Sequence, residues 1–317
     1  MPEAARIVVI ADPIDRAAVD RLRSGPCTVV DATAGADALR AALPTAWALV
    51  VRSRTKVTEE MLRNAPHLRL IARAGVGVDN IDMSAVAARS IDVVNTPSAA
   101  TASVAELTVA FALMLVRRLW PGIVSTKAGG WERGTNGGEI AGRTIGYIGY
   151  GRIAREVQRR LIPFGVRAVA YDPFLSAPID ATELVDLPTL LGRADIVSLH
   201  ASLTPENHHL MDARALEQMR PGAVLINVAR GPLVDETALL AALKSGRLAG
   251  AALDVFDEEP PRLRELLERP DVIATPHIGA STREGQARAG NLVVDEILRA
   301  ARAEPLTARV LPPGGSP

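Results

Sequence analysis

Three residues far apart in the chain, Arg230, Glu259 and His277, carry the side chains that reduction of a carbonyl to an alcohol needs. Each follows a short apolar run, at 224–228, 250–255 and 272–274. Hydride reaching a carbonyl carbon leaves charge on oxygen, and a histidine is the natural proton donor near neutral pH. A neighbouring carboxylate orients the imidazole and favours its protonated form. Arginine can hold a substrate carboxylate through a forked pair of hydrogen bonds and polarise the carbonyl. Taken singly, Arg230 reads equally well as a salt-bridge residue, Glu259 as a solvated acid and His277 as a helix cap. Their common place after three successive runs is what joins them.

A source of hydride is written at 144–172. Thr144-Ile145-Gly146-Tyr147-Ile148 has the β-branched and aromatic look of a buried strand, and Gly149-Tyr150-Gly151 follows directly. A helical pattern opens at Arg152 with Ile153, Val157 and Leu161 on one face. A second strand at 167–171 ends at Asp172. Strand, glycine turn, helix, strand and acid form the dinucleotide-binding fingerprint in its proper context. Gly149 permits the tight turn, and Gly151 lets the backbone approach a pyrophosphate lying on the helix N-terminus. Ala154 is the accepted small residue for helix–strand packing. Asp172, about 20 residues on, can accept both hydroxyls of an adenosine ribose. A 2′-phosphate would meet its negative charge, which favours NAD over NADP.

These residues need a scaffold of alternating strands and helices, and the chain supplies one. Runs at 7–10, 28–30, 47–51, 68–72 and 91–94 read as strands whose continuous hydrophobicity suits parallel sheets covered on both faces. Helical patterns at 14–23, 36–43 and 58–64 lie between them. A second set of six strands spans 144–148, 167–171, 196–199, 224–228, 250–255 and 272–274. The fold class expected is α/β: two doubly wound parallel-sheet domains, one Rossmann-like for NAD and one flavodoxin-like for substrate, with a cleft between them. A last helix over about 282–300 can fold back on the first set. That makes the substrate domain discontinuous, 1–96 with 283–317, around an NAD domain at 97–282. Ser103-Val104-Ala105-Glu106 resembles a capping box opening an apolar helix that Trp120 and Pro121 end. Such a helix is buried or lies in a subunit interface. The tail after Leu311 has no core-forming residues and reads as disordered.

Composition narrows the partners. The 36 basic residues balance 36 acidic ones, which argues against a nucleic-acid or polyanion binder. The longest apolar stretch, 104–116, is too short for a membrane span. Met1–Arg6 lacks signal-peptide architecture, so a cytoplasmic enzyme is the default. Cys27 is the sole cysteine; it excludes an intramolecular disulfide or a cysteine-based zinc site and reads as a small core residue. No metal is expected: His208-His209 lacks ligand spacing and accompanying carboxylates. His67 reads as a loop residue. His200 follows a strand and is either structural or near the cofactor.

The ordered motifs match a known family. They are 51–58 (VRSRTKVT), 72–80 (ARAGVGVDN), Asn95-Thr96-Pro97, Gly130-Trp131-Glu132-Arg133, 149–153 (GYGRI), 227–231 (NVARG), 252–256 (ALDVF), Glu259-Pro260 and 276–282 (PHIGAST). Over about 50–290 the chain resembles the D-2-hydroxyacid dehydrogenases, most closely their D-3-phosphoglycerate dehydrogenase branch. The resemblance implies that His277 is the acid/base, Glu259 its partner and Arg230 the substrate anchor. It implies that Arg152 and Ile153 meet the pyrophosphate and Asp172 the ribose. Val228 and Asp254 would contact the nicotinamide half, and Ala229, Arg230, His277 and Gly279 would also meet the cofactor. Substrate would meet Arg52, Ser53, Arg73, Gly75, Val76, Gly77, Arg230 and His277, with Arg133 reaching a partner subunit's site. It also implies a homodimer built on the 103–119 helix and the segment around Trp131, and two domains that close over the substrate.

One departure stands out: close relatives carry Gly-Asn shortly after Asn-Thr-Pro, where this chain has Ser98-Ala99-Ala100-Thr101. The leading substrate pair is 3-phosphoglycerate and phosphohydroxypyruvate, as in serine biosynthesis. A phosphonate, sulfonate, glycerate, lactate, glyoxylate or formate substrate stays open, and so does an NAD-sensing corepressor that works by partner binding. The chain stops soon after its last helix, so serine feedback through a C-terminal regulatory domain is not expected.

Overall fold

The computed structural model describes residues 6–131, 133, 136–180 and 182–311. The tail expected to be disordered, at 312–317, therefore lies outside the described residues.

In chain order the elements begin β1 (Ile7–Ile10), α1 (Arg16–Arg23), β2 (Thr28–Asp31), α2 (Ala36–Ala42), β3 (Ala48–Val51), α3 (Glu59–Arg63), β4 (Leu70–Arg73), α4 (Met83–Ala88) and β5 (Asp92–Val94). Two helices follow, α5 (Thr101–Val116) and α6 (Leu119–Lys127). Then come β6 (Thr144–Ile148), α7 (Arg152–Leu161), β7 (Arg167–Tyr171), β8 (Glu183–Leu184), α8 (Leu187–Arg193), β9 (Ile196–Leu199) and α9 (Ala213–Gln218). The chain closes with β10 (Ala223–Asn227), α10 (Glu236–Lys244), β11 (Leu248–Leu253), α11 (Arg264–Leu267), β12 (Val272–Ala274) and α12 (Arg283–Ala301). The chain divides into two compact units, Met1–Ala100 with Ala280–Pro317, and Thr101–Gly279.

The first unit is a parallel sheet in the order β2-β1-β3-β4-β5, the flavodoxin-like arrangement. Alternate residues of each strand feed opposite layers. Val8, Ile10, Ala48 and Val50 pack with Leu22 of α1 and Val293, Val294 and Ile297 of α12. Val9, Leu49, Val51 and Ile71 pack with Leu39, Leu62 and Val86 on the other face. The strands β1 and β3 lie side by side with their helices on opposite faces, so their carboxyl ends frame an opening.

The second unit is a seven-stranded parallel sheet ordered β12-β11-β10-β9-β6-β7-β8. Relabelled from β6 this is the Rossmann order, with a seventh strand added at β12. The switch point falls between β6 and β9, and β10, β11 and β12 are consecutive neighbours.

Several local expectations are corrected. The helix α5 begins at Thr101, so Ser103 and Glu106 lie inside it and form no capping box; Ser103 is buried instead. Trp120 and Pro121 do not end a helix but sit in the first turn of α6, where proline's missing N–H costs nothing. The break is at Arg118, which adopts a left-handed conformation (φ 51°). The short edge strand β8 and the helix α4 have no counterpart in the sequence pattern. No single described helix is long and apolar enough to cross a membrane.

Candidate active site

The glycine turn after β6 is shaped by contact with β9. Gly149 has φ +82°, and a Cβ there would lie 2.7 Å from the backbone nitrogen of Ala201. Any side chain would both strain the backbone and strike the chain where it leaves β9. Gly151 differs: a Cβ there would meet nothing within 4 Å, so the turn is open on the side where α7 begins. No side chain caps α7, whose first N–H groups are left for an anion. Ala154, fully buried, seats α7 on the sheet. The Asp172 carboxylate accepts from Tyr150 N (2.9 Å) and Phe174 N (3.0 Å), which ties the acid to the turn it serves. An open, uncapped helix start beside a tethered carboxylate fits a dinucleotide's pyrophosphate and ribose. Arg152 is exposed and Ile153 half-buried at that start.

His200 forms part of the turn's floor. Its Nε2 meets Ser198 Oγ at 2.9 Å and its ring leans on Tyr147. Burial pushes its pKa down to about 3, so it stays neutral at working pH.

Arg230, Glu259 and His277 stand on the loops that follow β10, β11 and β12, three adjacent strands. The loops touch directly: a Cβ on Gly231 would overlap the carbonyl of Phe256 at 1.8 Å. His277 Nδ1 lies 2.9 Å from Glu259 Oε2 and 3.1 Å from Oε1. A carboxylate accepts only, so Nδ1 carries the proton of this pair and Nε2 is the ring nitrogen that Glu259 does not engage. Both side chains are half exposed. Arg230 Nη1 donates to Ala229 O at 2.7 Å, and Val228 and Ala229 are buried beside it.

Two residues build these loops. Asn227, buried at the end of β10, donates from Nδ2 to Arg230 O and accepts from Ala229 N. Asp254, 1% exposed, holds the histidine loop: Oδ1 accepts from Thr275 Oγ1 (2.6 Å) and Ile278 N (2.8 Å), and Oδ2 from Gly279 N (2.7 Å). His277 N donates to Asp254 O, and His277 itself is left-handed (φ 52°). The family resemblance places Asp254 among the cofactor contacts; in this structure its carboxylate is engaged behind the loop that carries His277.

The first unit organises the arginines by the same means. Asp12, at the end of β1, is 1% exposed and receives Arg52 N (2.7 Å), Thr55 N (3.1 Å) and Thr55 Oγ1 (2.7 Å). Burial pushes its carboxyl up, but the hydrogen bonds from Thr55, Arg52 and Arg54 together outweigh burial and hold it below its ordinary value. Asn80 donates to Arg52 O and Thr55 O and accepts from Arg73 Nε at 3.4 Å, linking the two arginines. The Arg73 guanidinium lies over Gly75, where a Cβ would be 2.0 Å from Nη1. Ser53 and Val76 are exposed, and Gly77 is half-buried. Ala99 and Ala100, in place of Gly-Asn, are buried, and Ala99 O accepts from Arg288 Nε. Arg133 is exposed, next to residues outside those described. Asp12, Asn80, Asn227 and Thr275 are site residues that the sequence reading misses. For Asp12, Asn227 and Thr275 the signal is a polar residue at or just past a strand end; Asn80 lies in the loop between β4 and α4 and has no such signal.

The pair His208-His209 requires a correction. The expectation of no accompanying carboxylate fails, because the fold brings Asp257 to them: one ligand atom from each of the three lies within 4.8 Å of the others.

A Rossmann sheet with an open glycine turn, an acid at the next strand end and an oriented histidine defines a nicotinamide-dependent dehydrogenase. Residues 109–279 match the model of the D-isomer specific 2-hydroxyacid dehydrogenase NAD-binding domain. The chain belongs to that family, and its cofactor is NAD. It is 41% identical over 302 residues to a D-3-phosphoglycerate dehydrogenase of Methanocaldococcus jannaschii, covering 94% of this chain but 58% of that one. It is 40% identical to a hydroxypyruvate reductase of Thermotoga maritima, covering 92% of this chain and 97% of that one. Among solved structures, the TT0316 protein from Thermus thermophilus superposes with a TM-score of 0.88 at 34% identity, over 96% of this chain and 100% of the other.

Proposed function

We propose that this chain transfers hydride between NAD and a D-2-hydroxy acid, with 3-phosphoglycerate and phosphohydroxypyruvate as the leading pair. The observation that carries the reading is the His277–Glu259 pair at 2.9 Å, on the loops after β12 and β11, with Arg230 on the loop after the adjacent β10. When bound, the nicotinamide supplies or takes up the hydride. Gly149, Gly151 and the start of α7 hold the pyrophosphate, and Asp172 the ribose. Arg230 clamps the substrate carboxylate and polarises the 2-oxo group. In the reducing direction His277 Nε2 gives its proton to the oxygen as hydride reaches the carbon; in the oxidising direction it removes that proton. Glu259 keeps the ring turned and stabilises the imidazolium.

We assign a second substrate anion to Arg52 and Arg73. Two arginines joined through Asn80 suit a phosphate, whose oxygens match the guanidinium fork. The NAD-binding and substrate-binding roles follow the two units. Leu119, Ile123, Val124 and Trp131 are exposed, with Trp131 at 80%, which supports a homodimer through α5, α6 and the Trp131 segment. A cytoplasmic serine-pathway enzyme is the setting this reading implies. Hydroxypyruvate is the second reading. Ser98–Thr101 supplies no amide side chain, and a relative named for that acid is 40% identical.

The test is NADH oxidation against phosphohydroxypyruvate, hydroxypyruvate, pyruvate, glyoxylate, phosphonopyruvate and sulfopyruvate. A kcat/KM at least tenfold higher for phosphohydroxypyruvate supports the leading pair. Preference for hydroxypyruvate selects the second reading, and turnover of none of the six overturns both.

A further inference from the structure

We propose that His208, His209 and Asp257 form a zinc-binding site on the second unit, and that its occupancy restrains the loop carrying Glu259. Adjacent residues on an extended chain point to opposite sides. Here His209 is left-handed (φ 51°), and both imidazoles lie together with ring centroids 4.0 Å apart. Asp257, from the loop after β11, brings a carboxylate to the same point, with all three ligand atoms within 4.8 Å of one another. Donors on tetrahedral zinc, with bonds of about 2.0–2.2 Å, are separated by roughly 3.4 Å. Rotation of the two imidazoles closes part of the remaining gap, and a shift of Asp257 toward them closes the rest. Two nitrogens and one oxygen suit zinc and leave a fourth position for water.

The surroundings favour a cation. The site opens on a depression lined by Asp235, Glu236 and Glu258, with Arg262 paired to Glu258 at 2.5 Å. Asp235 caps α10, and Glu236 Oε1 accepts from Asp257 N at 2.8 Å. Both are thus committed to the protein and act on a metal through their charge. Asp257 is two residues from Glu259, and Phe256 N donates to Glu259 Oε1 at 3.3 Å. A metal that draws Asp257 toward the histidines moves the backbone that sets Glu259 against His277. Zinc at this site therefore lowers turnover, a consequence that rests on the dehydrogenase reading; the binding does not.

Calorimetric titration of the purified chain with zinc chloride tests the site. One equivalent binds to the wild type and to His277→Asn. Affinity falls at least tenfold in His208→Gln and in Asp257→Asn. Zinc raises the Tm of the wild type but not of those two variants, whose folding is checked by circular dichroism. Absence of binding, equal binding by His208→Gln, or loss of binding in His277→Asn alone overturns the site. NADH oxidation tests the coupling: saturating zinc lowers kcat of the wild type several-fold and leaves His208→Gln unaffected. Unchanged wild-type turnover with zinc bound overturns the coupling.

Discussion

Replacing Asp254 by alanine removes the acceptor of three hydrogen bonds that support the loop carrying His277. Thr275 Oγ1, Ile278 N and Gly279 N all lose the carboxylate. Their fates differ. Thr275 is half-buried and Ile278 is 41% exposed, so both can turn to water. Gly279 is buried, and its N–H is left without an acceptor. One orphaned buried donor costs about 1–3 kcal/mol, and exchanging the other two bonds for water adds about 1 more. The expected loss is about 2–4 kcal/mol. Much of it is relieved by the loop moving, and that movement carries His277 away from Glu259. Misplacing a reacting group by about 1 Å costs on the order of 100-fold in rate. Asp254→Ala is therefore expected to lower kcat about 100-fold, read as NADH absorbance at saturating acid. Circular dichroism is expected to show a folded protein with a Tm lower by several degrees. Asp254→Asn keeps the Oδ1 acceptor but turns an amide donor toward Gly279 N, and it should fall between wild type and alanine. If Asp254→Ala keeps kcat within about threefold of wild type, the loop does not depend on the carboxylate and the reasoning fails.

Other expected outcomes follow from the same geometry. His277→Asn, which suits the left-handed backbone, should lower kcat by roughly 10²–10⁴-fold while fluorescence titration still shows NADH binding. Gly151→Ala should fold with unchanged Tm yet bind NADH roughly tenfold or more weakly, because its Cβ meets no protein atom within 4 Å. Gly149→Ala should lose stability as well as binding, given φ +82° and a contact at 2.7 Å; equal Tm for the two variants would contradict this. Asp12→Asn should cost about 1–3 kcal/mol near neutrality by leaving the donors of Arg52 and Thr55 poorly matched. The folded carboxyl sits below its ordinary value of 3.8, so its contribution is present above 3.8 and is lost as pH falls through the lower folded value. The Tm difference between wild type and Asp12→Asn should shrink only below about pH 3.8, and a difference that instead closes at neutral pH would refute the assignment.

The parts legible in the sequence are those set by local pattern. The strands at 144–148, 167–171 and 196–199 have the bounds the pattern predicts, because each is a short, mostly apolar run stopped by a glycine, an acid or a histidine. Arg230, Glu259 and His277 are readable as a group because each sits where a strand run stops. The supporting residues are not, since a buried Asp12 or Asp254 looks like any polar residue until the loop that it holds is seen folded. The false capping box at Ser103 shows the opposite error. Local spacing suggests a helix start, but Thr101 and Ala102 continue the helix because α5 packs along α7, which no local signal reports. Pro121 misleads for a related reason: a proline in a first turn and a proline after a last turn are the same letter. His209 and Asp257 lie far apart in sequence, so their meeting depends on the order of β9 to β11.

Cys27 has a practical meaning. It is the only cysteine, 8% exposed beneath α1, and burial pushes its thiol up. The native protein should ignore thiol-specific dyes and mild oxidants, reacting only once unfolded. A single cysteine introduced on either unit would then be a lone chemical handle, and a pair of them would report distances by fluorescence without background labelling.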